Sequence, residues 1–220
     1  MEDQSCVQRP VRILGGTSGI AGILMIGTSF IINPGPPPGA TPAQLIAFGT
    51  QYYSSILWGA WLQAVGPVFI VLFAFTLVHL AGANKRISGW MTFFGAGILM
   101  AVSLIEITFY IAVLFETPPV NMLICLNVIY AVQHLYFIVA APAFFIPLGI
   151  VLVNSDVLSK VFGYLAILLG LAFTALGMIF LQKLVLPMWV TAFAGVQAIW
   201  WLAASVSLIV KSRKITSQAG

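Results

Sequence analysis

Glu106, in "SLIEITFY", is the only acidic side chain well inside a long apolar run. An ionisable group at mid-bilayer costs at least about 2.5 kcal/mol on insertion scales, so a carboxyl kept there is a candidate for proton transfer or for orienting a polar ligand. His134, in "YAVQHLYFIVAAPAFF", is the second candidate, because an imidazole changes charge near neutral pH. If the protein is an enzyme, Glu106 and His134 are its expected catalytic acid and base. Trp61, Gln63, Tyr110, Gln133, Gln197 and Trp200 add amides and aromatic faces from four apolar segments and are the expected ligand-binding residues. Each has a plainer role as well. A Glu–His or Glu–Tyr contact fastens helices, and interhelical hydrogen bonds of glutamine are worth about 1 kcal/mol or less each.

The elements that carry these residues follow from composition. Of 220 residues, 61% are hydrophobic and only 6% charged, against about a quarter charged in soluble domains. The mean hydropathy is +1.08. No Lys, Arg, Asp or Glu occurs between Arg12 and Lys85. A hydrocarbon layer of about 30 Å needs about 20 apolar residues per helix. Six segments meet that length, at about 13–33, 56–80, 88–114, 125–153, 161–181 and 188–210. The expected fold is all-α, a polytopic membrane bundle of six transmembrane helices.

Eight of the nine basic residues fall in connections on one side; only Lys183 falls on the other, with Glu116. The positive-inside rule then places both termini in the cytoplasm, with the cell membrane as the expected location. The net charge of +4 is spread in small groups between apolar runs, not over one basic face, so nucleic acid is not an expected partner. Cys6 and Cys125 lie toward opposite membrane faces and form no C-x-x-C, which removes a simple thiol redox role.

On the outer side, "NPGPPPGATP" (33–42) cannot be helical. Thr41-Pro42 then has the form of a helix N-cap followed by proline at the first helical position. Apolar spacing predicts a short amphipathic helix over about 42–55, with Tyr52, Tyr53, Trp58 and Trp61 as an interfacial aromatic belt.

"AGILM" recurs at 21–25 and 96–100, and "VGPVF" (65–69) pairs with "AAPAF" (140–144), both at an offset of 75 residues. The repeating unit is a pair of spans, giving parallel repeats. "VQAIWWLAAS" (196–205) echoes "VQHLYFIVAA" (132–141), equating Gln197 with Gln133, so the expected architecture is three pseudo-repeated helical hairpins, the third diverged. Pro67 and Pro142 are expected to kink their spans and free backbone carbonyls. Glu106 and His134 lie 18 residues from the inner ends of their spans, a common height of about 27 Å. The repeat puts Ile31 opposite Glu106 and Gly59 opposite His134, so both groups break its symmetry.

His79 and His134 fall at nearly opposite depths, so neither a metal site nor a haem is expected, and no cofactor is called for. "ILGGTSGIAG" (13–22) resembles a dinucleotide-binding glycine loop but lacks the preceding strand such a loop needs; Gly15, Gly19 and Gly22 instead form a face for close helix packing. Three functions fit these features. The favoured one is binding or transport of an apolar or amphiphilic small molecule in an outer-half pocket. The second is a membrane enzyme, an isomerase or terpenoid-type cyclase, with Glu106 as acid or base. The third is an accessory or assembly subunit. Membrane lipids are expected partners in every case, and a homo-oligomer or a partner membrane subunit is compatible with all three.

Overall fold

The computed structural model describes residues 2–33, 35, 40–115, 119–183 and 188–217. The helices are α1 (Glu2–Ile32), α2 (Pro42–Gln51), α3 (Tyr53–Leu80), α4 (Ile87–Phe115), α5 (Pro119–Leu135), α6 (Ala141–Val153), α7 (Lys160–Ile179) and α8 (Met188–Ser217), with a π-helical turn at Tyr136–Ala140. Among the described residues there is no strand. Among the described residues six stretches are long and apolar enough to cross a membrane: Gln8–Ile32, Tyr53–Leu80, Ile87–Phe115, Asn121–Val153, Lys160–Ile179 and Gly195–Ser212. Each overlaps one segment expected from the sequence, and the whole is compatible with a multi-pass membrane protein.

Thr41 caps α2 as its sequence demands. Its hydroxyl accepts from the Gln44 N–H at 3.4 Å, and Gln44 Oε1 accepts from the Thr41 N–H at 2.8 Å, a reciprocal box with Pro42 in the first turn. The helix ends at Gln51, earlier than 55, because the chain turns at Tyr52 into α3. Its buried face is Leu45, packed with Leu126 and Ile129. Of the proline-rich segment, residues 34 and 36–39 lie outside the described residues.

Glycines set the closest helix crossings. Gly22 and Gly66 face each other across α1 and α3: a Cβ on Gly22 would lie 2.9 Å from the Gly66 carbonyl oxygen. Gly149 and Gly163 do the same across α6 and α7, at 2.6 Å. The face Gly15, Gly19, Gly22 meets Thr76, then Phe73 and Ser205, then Gly66 and Ile70, so α1 is wedged between α3 and α8. α4 lies between α3 and the α5–α6 unit. α1 with α3, and α4 with the α5–α6 unit, are thus closely packed pairs. α7 and α8 are not: α7 rests on α6 and α8 on α1, with little contact between the two. Aromatic side chains bridge them, Phe193 reaching Phe173 and the Trp200 indole N–H donating to the Phe162 carbonyl at 3.0 Å. The core is an aromatic cluster built on Phe73, Phe137, Phe144, Phe145, Phe173 and Trp201.

The start of the apolar part of α1 and the last part of α8 lie at one end of the bundle, called here the terminal end. There the Arg12 guanidinium donates to the Val157 carbonyl at 3.4 Å and Lys211 Nζ to the Asp156 carbonyl at 2.8 Å.

The two prolines free backbone carbonyls in different ways. α3 runs unbroken through Pro67. Proline has no N–H to give the carbonyl four residues earlier, that of Gln63, and the Ser103 hydroxyl of α4 donates to that oxygen instead, at 3.2 Å. Ser103→Ala is therefore expected to destabilise the fold by about 1 kcal/mol. Pro67→Ala in the same chain should recover much of that loss, because an alanine N–H can pair with the Gln63 carbonyl directly; thermal unfolding of both single variants and the double checks it. Before Pro142 the helix widens, with the Ala141 N–H bonding the Tyr136 carbonyl five residues back. That wide turn carries Tyr136 and Phe137 to the centre of the bundle.

Candidate functional site

The polar residues buried among these helices converge on Glu106. Its two carboxyl oxygens each accept an amide hydrogen bond: Oε2 from Gln63 Nε2 at 3.0 Å and Oε1 from Gln133 Nε2 at 3.1 Å. The three side chains come from α3, α4 and α5, so one acid ties three helices. Beside them the Tyr136 hydroxyl donates to Gln197 Oε1 at 2.5 Å, bringing in α8.

These groups line a cavity of about 150 Å³. Its polar wall is Gln63, Ser103, Glu106, Gln133, Tyr136 and Gln197. Toward the terminal end the wall turns apolar, with Ile70, Leu99, Val102, Phe137 and Trp201, while α1 contributes Ile23, Ile26 and Phe30. The cavity is amphiphilic along the bundle axis. Phe30 both lines it and is 62% exposed, so its wall reaches the outside of the bundle beside α1. α1 and α8 approach closely nearer the terminal end, where Gly16 and Gly19 meet Ser205 and Ile209.

Of the residues singled out from the sequence, the structure brings together Gln63, Glu106, Gln133 and Gln197. Four others lie off the cavity wall. Trp61 is 51% exposed, two residues and 200° around α3 from Gln63, which is 7% exposed. Trp200 is buried but turned toward α7, and its neighbour Trp201 faces the cavity. Tyr110, one turn beyond Glu106, lines a separate small pocket with Asn33, Leu45 and Met122. His134 follows Gln133 by one residue, so the two point about 100° apart and cannot both face Glu106. Its Nδ1 lies 2.9 Å from the Tyr130 carbonyl oxygen and its Nε2 3.3 Å from that of Phe180. A neutral ring donates to only one of them. His134 thus lies between α5 and the end of α7 and is not among the residues lining the cavity.

His79 pairs with Asn84 at 3.3 Å near the terminal end, remote from His134. Among the described residues no three of His, Cys, Asp and Glu converge to hold a metal ion.

Ser103, Tyr136, Phe137 and Trp201 join the site without standing out in the sequence. Spacing was the available signal: Ser103 precedes Glu106 by three, Tyr136 follows Gln133 by three, and Trp201 follows Gln197 by four, each sharing a helix face with a polar residue already singled out. The arrangement defines an all-helical bundle with one carboxyl group set in an amphiphilic internal cavity. Compared with known families, with characterised proteins and with solved structures, the chain matches none.

Proposed function

We propose that the protein is a multi-pass integral membrane protein of the cell membrane, both termini cytoplasmic, that binds or transports an apolar or amphiphilic small molecule in the cavity around Glu106. The observation that carries this is a carboxyl group held by two amides at the wall of a cavity of about 150 Å³. An engineered protein cavity of about that volume accepts benzene, so the space suits a small ligand or one apolar arm of a larger one.

Membrane insertion is supported by outward-facing Leu24, Phe94, Leu168 and Ile199 on four different helices, more apolar surface than a soluble monomer leaves in water. Orientation is supported by the gathering of Arg12, Lys85, Arg86, Lys160 and Lys211 toward the terminal end. The repeat gains support because Gln133 and Gln197, which it equates, both line the cavity. Phe30 marks the side through which a membrane-dissolved ligand enters.

Glu106→Gln keeps the shape and most hydrogen bonding of the site, so its stability cost is expected to be about 1 kcal/mol or less. Mass spectrometry of molecules co-purifying with wild type and variant should find a discrete small molecule only with wild type. Identical lipids in both, with the variant merely melting earlier, would sink the proposal and leave Glu106 as a fastener of helices in an assembly subunit.

A further inference from the structure

We infer that the ligand of this cavity is an organic cation, an ammonium group carried on an apolar body with one segment about the size of a benzene ring; the inference rests on the cavity reading above and adds the ligand's charge. Among the described residues, Glu106 is the only acidic side chain in the wall, and none of those lining it is Lys, Arg or His. Its other polar members, Gln63, Ser103, Gln133, Tyr136 and Gln197, are uncharged amides and hydroxyls. The protein therefore puts a potential negative charge into a low-dielectric space without a cation beside it. Two amide hydrogen bonds orient that charge but do not neutralise it.

The remaining hydrogen-bonding capacity points the same way. An ionised carboxylate has about four lone-pair sites and no donor. Gln63 and Gln133 each occupy one, which leaves acceptor positions that suit a donor-bearing ligand. An ammonium supplies both the donors and the charge. A neutral alcohol supplies a donor alone, and an anion is repelled. Tyr136, Phe137 and Trp201 add aromatic side chains to the same wall, and the faces of such rings attract a desolvated cation. Beyond them Ile70, Leu99 and Val102 form an apolar floor for the ligand's body.

Three probes with one ring and different charge test this: benzylamine, benzyl alcohol and benzoate, each titrated at neutral pH against the full chain in a non-ionic detergent while its thermal unfolding is followed. Benzylamine should stabilise the wild type saturably with an affinity at least about tenfold above that of benzyl alcohol, and benzoate should give no shift. In Glu106→Gln the preference of amine over alcohol should disappear while the alcohol still stabilises. Equal effects of amine and alcohol on the wild type would overturn the charge assignment and leave the cavity reading standing. Absence of a saturable shift with all three would overturn both. The wild-type comparison decides the matter whether or not the variant folds.

Discussion

Gly95→Ala is expected to destabilise the bundle by about 2–3 kcal/mol, while Gly97→Ala on the same helix should be neutral or stabilising by up to about 1 kcal/mol. A Cβ on Gly95 would lie 2.1 Å from the Ala143 carbonyl oxygen, 2.4 Å from its carbon and 2.7 Å from the Phe144 Cα. All three are backbone atoms of α6, so no side-chain rotation relieves the overlap and α4 must move away. The close approach has a local cause. Pro147 has no N–H for the Ala143 carbonyl, and the bare face of Gly95 lets α4 settle against that oxygen. Gly97 points outward and meets nothing within 4 Å, so alanine there only removes the helix penalty of glycine. The effect reaches the site, because α4 carries Glu106 and the α5–α6 unit carries Gln133. Thermal unfolding in detergent separates the two variants. Loss of the Gly95 variant's co-purified small molecule would show that the α4–α6 contact also sets the distance between Glu106 and Gln133.

Burial chemistry explains which residues of this site were legible before the structure. Gln63, Glu106, Gln133 and Gln197 stand out as polar groups inside apolar runs, and in hydrocarbon such groups persist only with partners, so their convergence follows from cost alone. Tryptophan and histidine find the partners they need without converging on the same point. Trp61 is as comfortable on the outside of α3 as in a pocket, and His134 has a backbone carbonyl within reach of its ring N–H in either tautomer. Helix rotation was the missing quantity. In a soluble helix the polar stripe reveals which face is outward, but spans such as α3 and α6 are apolar on every side, so neighbours like Trp200 and Trp201 exchange roles without any trace in sequence. Element boundaries were legible where chemistry punctuates the chain, as at Thr41-Pro42, and less so at α1, whose helix continues through polar residues before the apolar run. The wide turn before Pro142 lay out of reach for another reason. Proline disrupts a helix in more than one way, and the neighbours decide between a kink, a borrowed hydroxyl as at Gln63, and a π turn as at Tyr136.

Leu168→Arg is the substitution with which to test the lipid-facing surface itself. Leu168 lies at the middle of α7, is 62% exposed, and shares its outward face with Leu165 and Leu171. If that face meets hydrocarbon, replacing a leucine by an arginine at the centre of a span costs about 3 kcal/mol on insertion scales. If water or a polar surface covers it, a surface substitution stays within about 0.5 kcal/mol. α7 contributes no side chain to the cavity wall, so the outcome does not depend on any ligand. The expected result is a sharp fall in membrane-integrated protein and a lowered unfolding temperature, measured against Leu168→Ala, which keeps the face apolar. Wild-type yield and stability for the arginine variant would mean that this face is not in contact with lipid. α7 would then face water or the polar surface of a partner. Loss confined to arginine, with alanine tolerated, would make the hydrocarbon layer the solvent that selects these helices, and with it the cost that makes a carboxyl at position 106 worth explaining.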